Sequence, residues 1–300
     1  MPTRTATQRQ ETMAAAEKRF RQALATDPRM VTDYARRAAN VAGAIRRAAT
    51  AAGQPVGRTY SWFNRLSLES QRQRRKLTHL GVYAGSEQWT KAGRAVKDGA
   101  PALVISVPIL VPDPLDPDRQ KLVGFVHGDV YDYTDTVSQD PDFVEPDFEA
   151  PLLTGDPATF DALASTCPVP VIRRDLGSSL ERSSFDGASI VVDASAPLGN
   201  QIAALAHQRL HLLTGDPAHP AVDVEREATV AAAQWLFMEM AGLADETDDD
   251  LTEVAVAGLS RWVDPRTADP VAGHKARVKL LSTRLDAALE LAGRLLDAIA

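Results

Sequence analysis

Apolar positions follow helical spacing at the start of the chain, alternate through its middle and return to helical spacing toward its end. The first fifty residues, rich in Ala, Arg and Gln, carry apolar residues at loose helical intervals. They predict exposed helices with a basic surface, broken near Asp27-Pro28 and again around Gly53-Gln54-Pro55. From Tyr60 to about Lys76 a helical pattern carries Trp62, Phe63, Leu66 and Leu68 and ends in Gln-Arg-Gln-Arg-Arg-Lys, residues 71–76. The stretch SEQWTKAGRAVKDGA (86–100) predicts a short helix with Trp89 inward and a turn at Asp98-Gly99. Two β-branched runs, 102–111 and 121–133, flank PDPLDPDRQ and predict a hairpin with a polar loop. Residues 134–151 are acidic, proline-bearing and aperiodic, which places a domain boundary near residue 140.

Past that boundary come a mixed region to about residue 188 and a β-like SIVVDAS (189–195). Helices follow at about 200–213 and 223–240, then an acidic loop at 244–250 and two further helical stretches. The last stretch, about 275–299, sets Val278, Leu281, Leu285, Ala288, Leu289, Ala292, Leu296 and Ile299 on one stripe. The fold class is therefore α+β: a mixed helix and antiparallel-sheet domain over 1–140, with 1–30 as a flexible or helical extension, and a mainly helical domain over 141–300.

Length and composition add little by themselves: 300 residues favour two domains, and 44% hydrophobic with 24% charged residues is ordinary for a globular chain. The charge is informative once divided. Residues 1–100 hold nineteen Lys and Arg against seven Asp and Glu, a net of +12, and the other 200 residues carry −19. That asymmetry points to a polyanion-binding segment. The single cysteine, Cys167, cannot form an intramolecular disulfide, and it sits beside Pro168 in no nucleophile pattern. No apolar run near the start is long enough for a signal peptide, and 103–111 is too short to span a bilayer. The expectation is a cytoplasmic protein without a membrane partner.

His207-Gln-Arg-Leu-His211 places two imidazoles four residues apart on one helix face, within reach of one metal ion. The spacing also suits a pair of surface or core histidines. A third ligand is available in the next helix, where Glu225 and Glu227 point about 200° apart, so only one can face the histidines. Glu227 shares the apolar stripe with Val224, Ala228, Ala231 and Trp235, and a carboxylate drawn onto a buried face needs a partner. Glu227 is the expected ligand and Glu225 the reserve. In the zinc-peptidase pattern His-Glu-x-x-His, the glutamate takes a proton from metal-bound water. Here that position is Gln208, whose amide cannot accept a proton at neutral pH.

In the basic half, Tyr60, Trp62, Phe63, Tyr83 and Trp89 are interleaved with Arg58, Asn64, Arg65, Arg72, Arg74, Arg75, Lys76, Lys91, Arg94 and Lys97. Aromatic faces stack bases at roughly 1–3 kcal/mol each while cations follow phosphates, so the pattern predicts binding of single-stranded nucleic acid. Trp62 and Trp89 fit a core role as well. The chain has no zinc-finger, P-loop or dinucleotide glycine pattern.

Together these segments resemble the ArdC-type antirestriction family. YSWFNRLSL (60–68), SEQWTKAGRAVKDGA (86–100) and LVGFVHGDVYDYTDT (122–136) are similar to segments of its N-terminal domain. IAALAHQRLHLL, VEREATVAAAQWLF and AGLSRWV (257–263) are similar to segments of its C-terminal domain. The resemblance implies a single-stranded DNA-binding domain joined to a zincin-like metallopeptidase domain. It further implies a divalent metal, Zn2+, on His207, His211 and a glutamate, and a role in protecting mobile-element or phage DNA from restriction. Gln208 departs from the family's glutamate, so the expected protein is a pseudoenzyme: a DNA-binding protein whose metal domain lacks ordinary peptidase activity. Two other readings stand beside it. One is an active metallopeptidase that uses another base and has a protein substrate. The other is an interaction protein whose acidic surface, Asp245–Asp250, mimics DNA or binds a basic partner.

Overall fold

The computed structural model describes residues 5–26, 29–52, 60–77, 81–114, 116–142, 153–177, 183–185, 188–214, 224–244 and 274–299. The first helix, α1 (Ala6–Thr26), opens on a capping box: Thr5 N donates to Gln8 Oε1 at 2.9 Å and Gln8 N to Thr5 Oγ1 at 3.3 Å. It stops before Asp27-Pro28, and α2 (Arg29–Ala52) begins after it. Helix α3 (Trp62–Arg75) ends where Lys76 adopts a left-handed φ of 55° and Leu77 N bonds back to Arg72 O.

Strand β1 (Tyr83–Ala84), helix α4 (Ser86–Lys91) and strand β2 (Arg94–Val96) lead into a long hairpin of β3 (Leu103–Asp113) and β4 (Asp116–Asp132). Strand β5 (Thr136–Ser138) pairs antiparallel with β2, and the larger sheet has the order β1-β4-β3. The strands run further than the sequence pattern suggests, into PDPLDPDRQ, because cross-strand pairs such as Pro112 with Gln120 carry the ladder through it. The core of this part is Tyr60, Leu68, Tyr83, Leu103, Ile105 and Val130, with Val107 packed against it. Beyond Val107 the ribbon exposes Ile109, Leu110, Leu122, Val123, Phe125 and Val126.

Helix α3 meets β3 through two side-chain amides seven residues apart. Gln71 Oε1 accepts from Val104 N at 2.9 Å and its Nε2 donates to Val104 O at 2.8 Å. Asn64 repeats the pair on Ser106 N and O, at 2.8 and 2.7 Å. Each amide thus satisfies both outward backbone groups of one edge-strand residue, as a neighbouring strand would. By the same alternation the nitrogen of Pro108 faces the outer edge, where a missing N–H costs no ladder bond. Arg9 on α1 clamps β4 through a two-point contact with Asp129, one arm at 3.1 Å.

The chain divides into two compact units: Met1–Thr26 with Ile45–Phe148, and Asp27–Ala44 with Glu149–Ala300. The sequence pattern places the division near residue 140 and keeps 27–44 with the first part. In the structure Arg36, on that segment, hydrogen-bonds Glu239 at 2.8 Å and lies over the Trp235 ring, both residues of the second unit.

The second unit contains α5 (Pro157–Ser165), whose Asp156 cap accepts from Thr159 N at 2.9 Å. Strands β6 (Val171–Arg174), β7 (Ser183–Phe185) and β8 (Ile190–Asp193) form a mixed sheet of order β6-β8-β7, with β6 parallel and β7 antiparallel to β8. Helix α6 (Leu198–Leu213) packs against that sheet and against α5, α7 (Val224–Ala241) and α8 (His274–Asp297). Buried Arg209 ties α6 to the end of α5 by donating to Leu163 O at 2.8 Å and to Thr166 Oγ1 at 2.9 Å. From Val230 to Ala241 every side of α7 is buried, and α8 buries Leu281, Leu285, Ala288, Ala292 and Leu296 of its expected stripe. The fold is α+β. The helical stretch expected before α8, the acidic run 245–250 and the segment 257–263 lie outside the described residues.

Replacing Asn64 with Ala strands both backbone groups of Ser106. The expected cost is about 1–3 kcal/mol in urea unfolding, with faster hydrogen exchange at the Ser106 amide. An unchanged midpoint and exchange rate would show that the amide is not an edge cap.

Candidate metal centre and nucleic-acid surface

His207 and His211 leave the same face of α6, one turn apart, with ring centroids 4.8 Å apart and planes inclined at 74°. Their Nε2 atoms approach to 3.1 Å. Glu227, in the first turn of α7, brings Oε1 to 3.2 Å from His207 Nε2 and Oε2 to 3.1 Å from His211 Nε2. The ligand atoms of the three residues all lie within 4.8 Å of one another. Burial pushes the Glu227 carboxyl up, but its close approach to the rings of His207 and His211 outweighs that and brings the group down to about 2. The carboxylate is therefore ionised across the physiological range, and the start of α7 favours that charge.

This donor set fits a divalent cation. Two ring nitrogens facing each other at 3.1 Å can share one proton at most, and neutral imidazoles would leave electron-rich atoms on all three sides. Among the described residues no hydrogen bond of acceptable geometry reaches buried Glu227 Oε2. His211 Nε2 lies 3.1 Å from it. Two imidazoles and one carboxylate suit zinc and other first-row divalent ions, with a fourth position left open. The side chain of Glu225 is not among those described. Half-buried Gln208 turns toward β7, its Nε2 donating to Ser183 Oγ at 3.1 Å.

The sequence pattern did not single out Gln234 or Ser183. Buried Gln234 accepts at Oε1 opposite His207 Nδ1, 3.1 Å away, and its Nε2 donates to Ala203 O at 2.8 Å. A signal for it was present: Gln234 and Glu239 interrupt the apolar run VAAAQWLFMEM, and buried polar groups require partners.

The residues expected to bind nucleic acid separate into interior and surface groups. Trp89 is fully buried, and its Nε1 donates to Tyr131 O at 3.0 Å. Arg94 is buried, with its guanidinium 4.1 Å from the Tyr133 ring centre and Nε donating to Thr136 Oγ1 at 2.7 Å. Arg72 is buried and paired with Glu69 at 2.9 Å. Tyr60 is a core residue whose hydroxyl donates to Tyr83 O, and Asn64 is an edge cap. These five are committed to the interior, because in each case a cation, ring or amide satisfies the protein's own groups. Arg65 donates to Tyr60 O, and half-buried Arg75 pairs with Asp135 at 3.0 Å. Lys91 and Lys97 are exposed, as are Arg74 and Lys76, and Lys97 Nζ also donates to Thr134 O at 2.8 Å. Trp62 starts α3 but its side chain is not described, and Arg58 lies outside the described residues. Among the described residues the exposed aromatic ring is Phe125, on the hairpin.

No protein-family profile and no curated protein matches the chain. Among solved structures, it is similar to the Mn(II)-bound crystal structure of the antirestriction ArdC protein from plasmid R388. The identity is 15%, over 86% of this chain and 97% of that one, with a TM-score of 0.48. The metal-free crystal structure of the same protein gives 16% identity over 86% and 96%, with a TM-score of 0.47.

Trp89→Phe and Arg94→Gln are expected to lower the melting temperature by several degrees, each removing a buried hydrogen bond worth about 1–3 kcal/mol. Lys91→Gln and Lys97→Gln should leave it nearly unchanged. Equal melting temperatures across the four variants would contradict the division into interior and surface cations.

Proposed function

We propose that the chain is a cytoplasmic, antirestriction-type protein. Its first unit binds single-stranded DNA, and its second is a zincin-like, zinc-binding domain without ordinary peptidase activity. The observation that carries the reading is the cluster of His207, His211 and Glu227 combined with an amide at Gln208. When bound, a divalent cation there supplies Lewis acidity. His207, His211 and Glu227 would hold it. Gln208 is spaced where a general base belongs, yet it has no proton-accepting carboxylate and hydrogen-bonds Ser183 instead. The antirestriction role rests on the motif resemblance.

Support for the DNA role comes from the net +12 of residues 1–100, from exposed Arg74, Lys76, Lys91 and Lys97, and from Phe125, which presents an open ring for stacking. The interior placement of Trp89 and Arg94 moves the proposed contacts to these surface groups.

Metal analysis of the purified chain should find about one divalent ion, as expected for a three-ligand site, and none after His211→Ala. The native protein should not cleave protein substrates, whereas Gln208→Glu restores the missing base and should introduce activity. Native cleavage abolished by His207→Ala and by chelator would overturn the pseudoenzyme reading.

Gel shifts across a salt series should show tighter binding to single than to double strands, with a log-log slope of roughly 0.7 per phosphate contact. Phe125→Ala should weaken binding by about 1–3 kcal/mol, the worth of one stacked base. Equal affinity for both strand types would defeat the DNA reading.

A further inference from the structure

We propose that Gln234 is a positioning residue that fixes the tautomer of His207. In that tautomer Nδ1 carries the proton and Nε2 presents its lone pair to His211 and Glu227. The inference deepens the metal-site reading and rests on it for its consequence, although the tautomer itself is a property of the metal-free protein.

The argument follows from which atoms can donate. Ala203 O is a backbone carbonyl and only accepts, so the Gln234 atom 2.8 Å from it is the amide nitrogen. The amide oxygen is then the atom 3.1 Å from His207 Nδ1, and it too only accepts. The contact is a hydrogen bond only if Nδ1 bears a proton. A neutral His207 consequently has its lone pair on Nε2, the atom 3.1 Å from His211 Nε2 and 3.2 Å from Glu227 Oε1. Gln234 is itself buried, so this amide cannot exchange its partners for water without cost. Free imidazole favours neither nitrogen strongly enough to guarantee this outcome, and ligating histidines commonly depend on such an outer hydrogen bond.

The amide also explains geometry that the three ligands alone do not. Ala203 lies one turn before His207 on α6, so one α7 side chain grips α6 at two levels. The ring of His207 is held in rotation as well as in protonation. Because the amide presents both a donor and an acceptor, neither Leu nor Glu reproduces the arrangement. Leu removes both bonds, and Glu keeps the acceptor toward His207 while losing the donor to Ala203.

The test is nitrogen NMR of the imidazole rings in the metal-free full chain at about pH 8, where free imidazole is neutral. A cobalt(II) titration accompanies it, and thermal unfolding checks each variant. The native protein should show His207 protonated at Nδ1. Gln234→Leu should populate the Nε2-protonated form and weaken cobalt(II) binding by about 10–100-fold. Gln234→Glu should keep the native tautomer and recover most of that loss. A native His207 protonated at Nε2 would overturn the proposal without any variant, as would native cobalt(II) affinity in a folded Gln234→Leu protein. Failure of the native chain to bind cobalt(II) would defeat the metal reading instead, and the NMR spectrum would still decide the tautomer.

Discussion

One side-chain amide ties α7 to α6 beside the candidate metal cluster of the second unit. Gln234 reaches from α7 to α6 with a donor and an acceptor, and the separation it holds is the separation across which Glu227 meets the two histidines. Helix α7 is apolar on all sides from Val230 to Ala241 except for Gln234 and Glu239, so two polar groups must find partners inside an otherwise dry environment. Glu239 finds Arg36 and Gln234 finds α6. These pairs give register to a helix whose apolar faces would pack almost equally well in several rotations, a specificity that burial of Ala, Leu and Met cannot supply.

The same chemistry appears in the first unit with a different purpose. Asn64 and Gln71 spend their amides on the backbone of β3, and three of the cations in the basic half, Arg72, Arg75 and Arg94, are engaged by internal partners. A net charge of +12 is thus an overestimate of the charge free to meet a polyanion. Cations that pair inside fix the loops around Tyr133 and Asp135, and Lys91 and Lys97 stand at the surface those loops support.

Much of this architecture was legible from spacing alone. Helix 62–75, the hairpin and helices α6, α7 and α8 all follow periodicities that local propensity does not contradict. His207, His211 and Glu227 were readable together because a helix face and an apolar stripe are one-dimensional patterns. Strands of two to four residues, such as β1, β2 and β7, were not, since their identity comes from partners far along the chain. Helix α5 was announced by Asp156-Pro157, a cap followed by a first-turn proline, but its nine residues are too few for a clear period. The aromatic and basic residues of 60–97 were less legible for another reason. Composition reports that Trp89 and Arg94 are present, and only the fold decides that Tyr131, Tyr133 and Thr136 consume them.

The hairpin carries exposed Leu110, Leu122, Val123, Phe125 and Val126 on a two-stranded ribbon, a composition that ordinarily invites fibre growth. Growth requires two competent edges. Along β3 the outward groups of Val104 and Ser106 are occupied by amides, and Pro108 and Pro112 offer no N–H. Among the described residues that leaves β3 with fewer outward groups to offer than β4. A second ribbon approaching β3 therefore finds fewer free backbone groups than one approaching β4. Prolines and amide caps along one side make the apolar arm a poorer template for strand addition than its composition alone suggests.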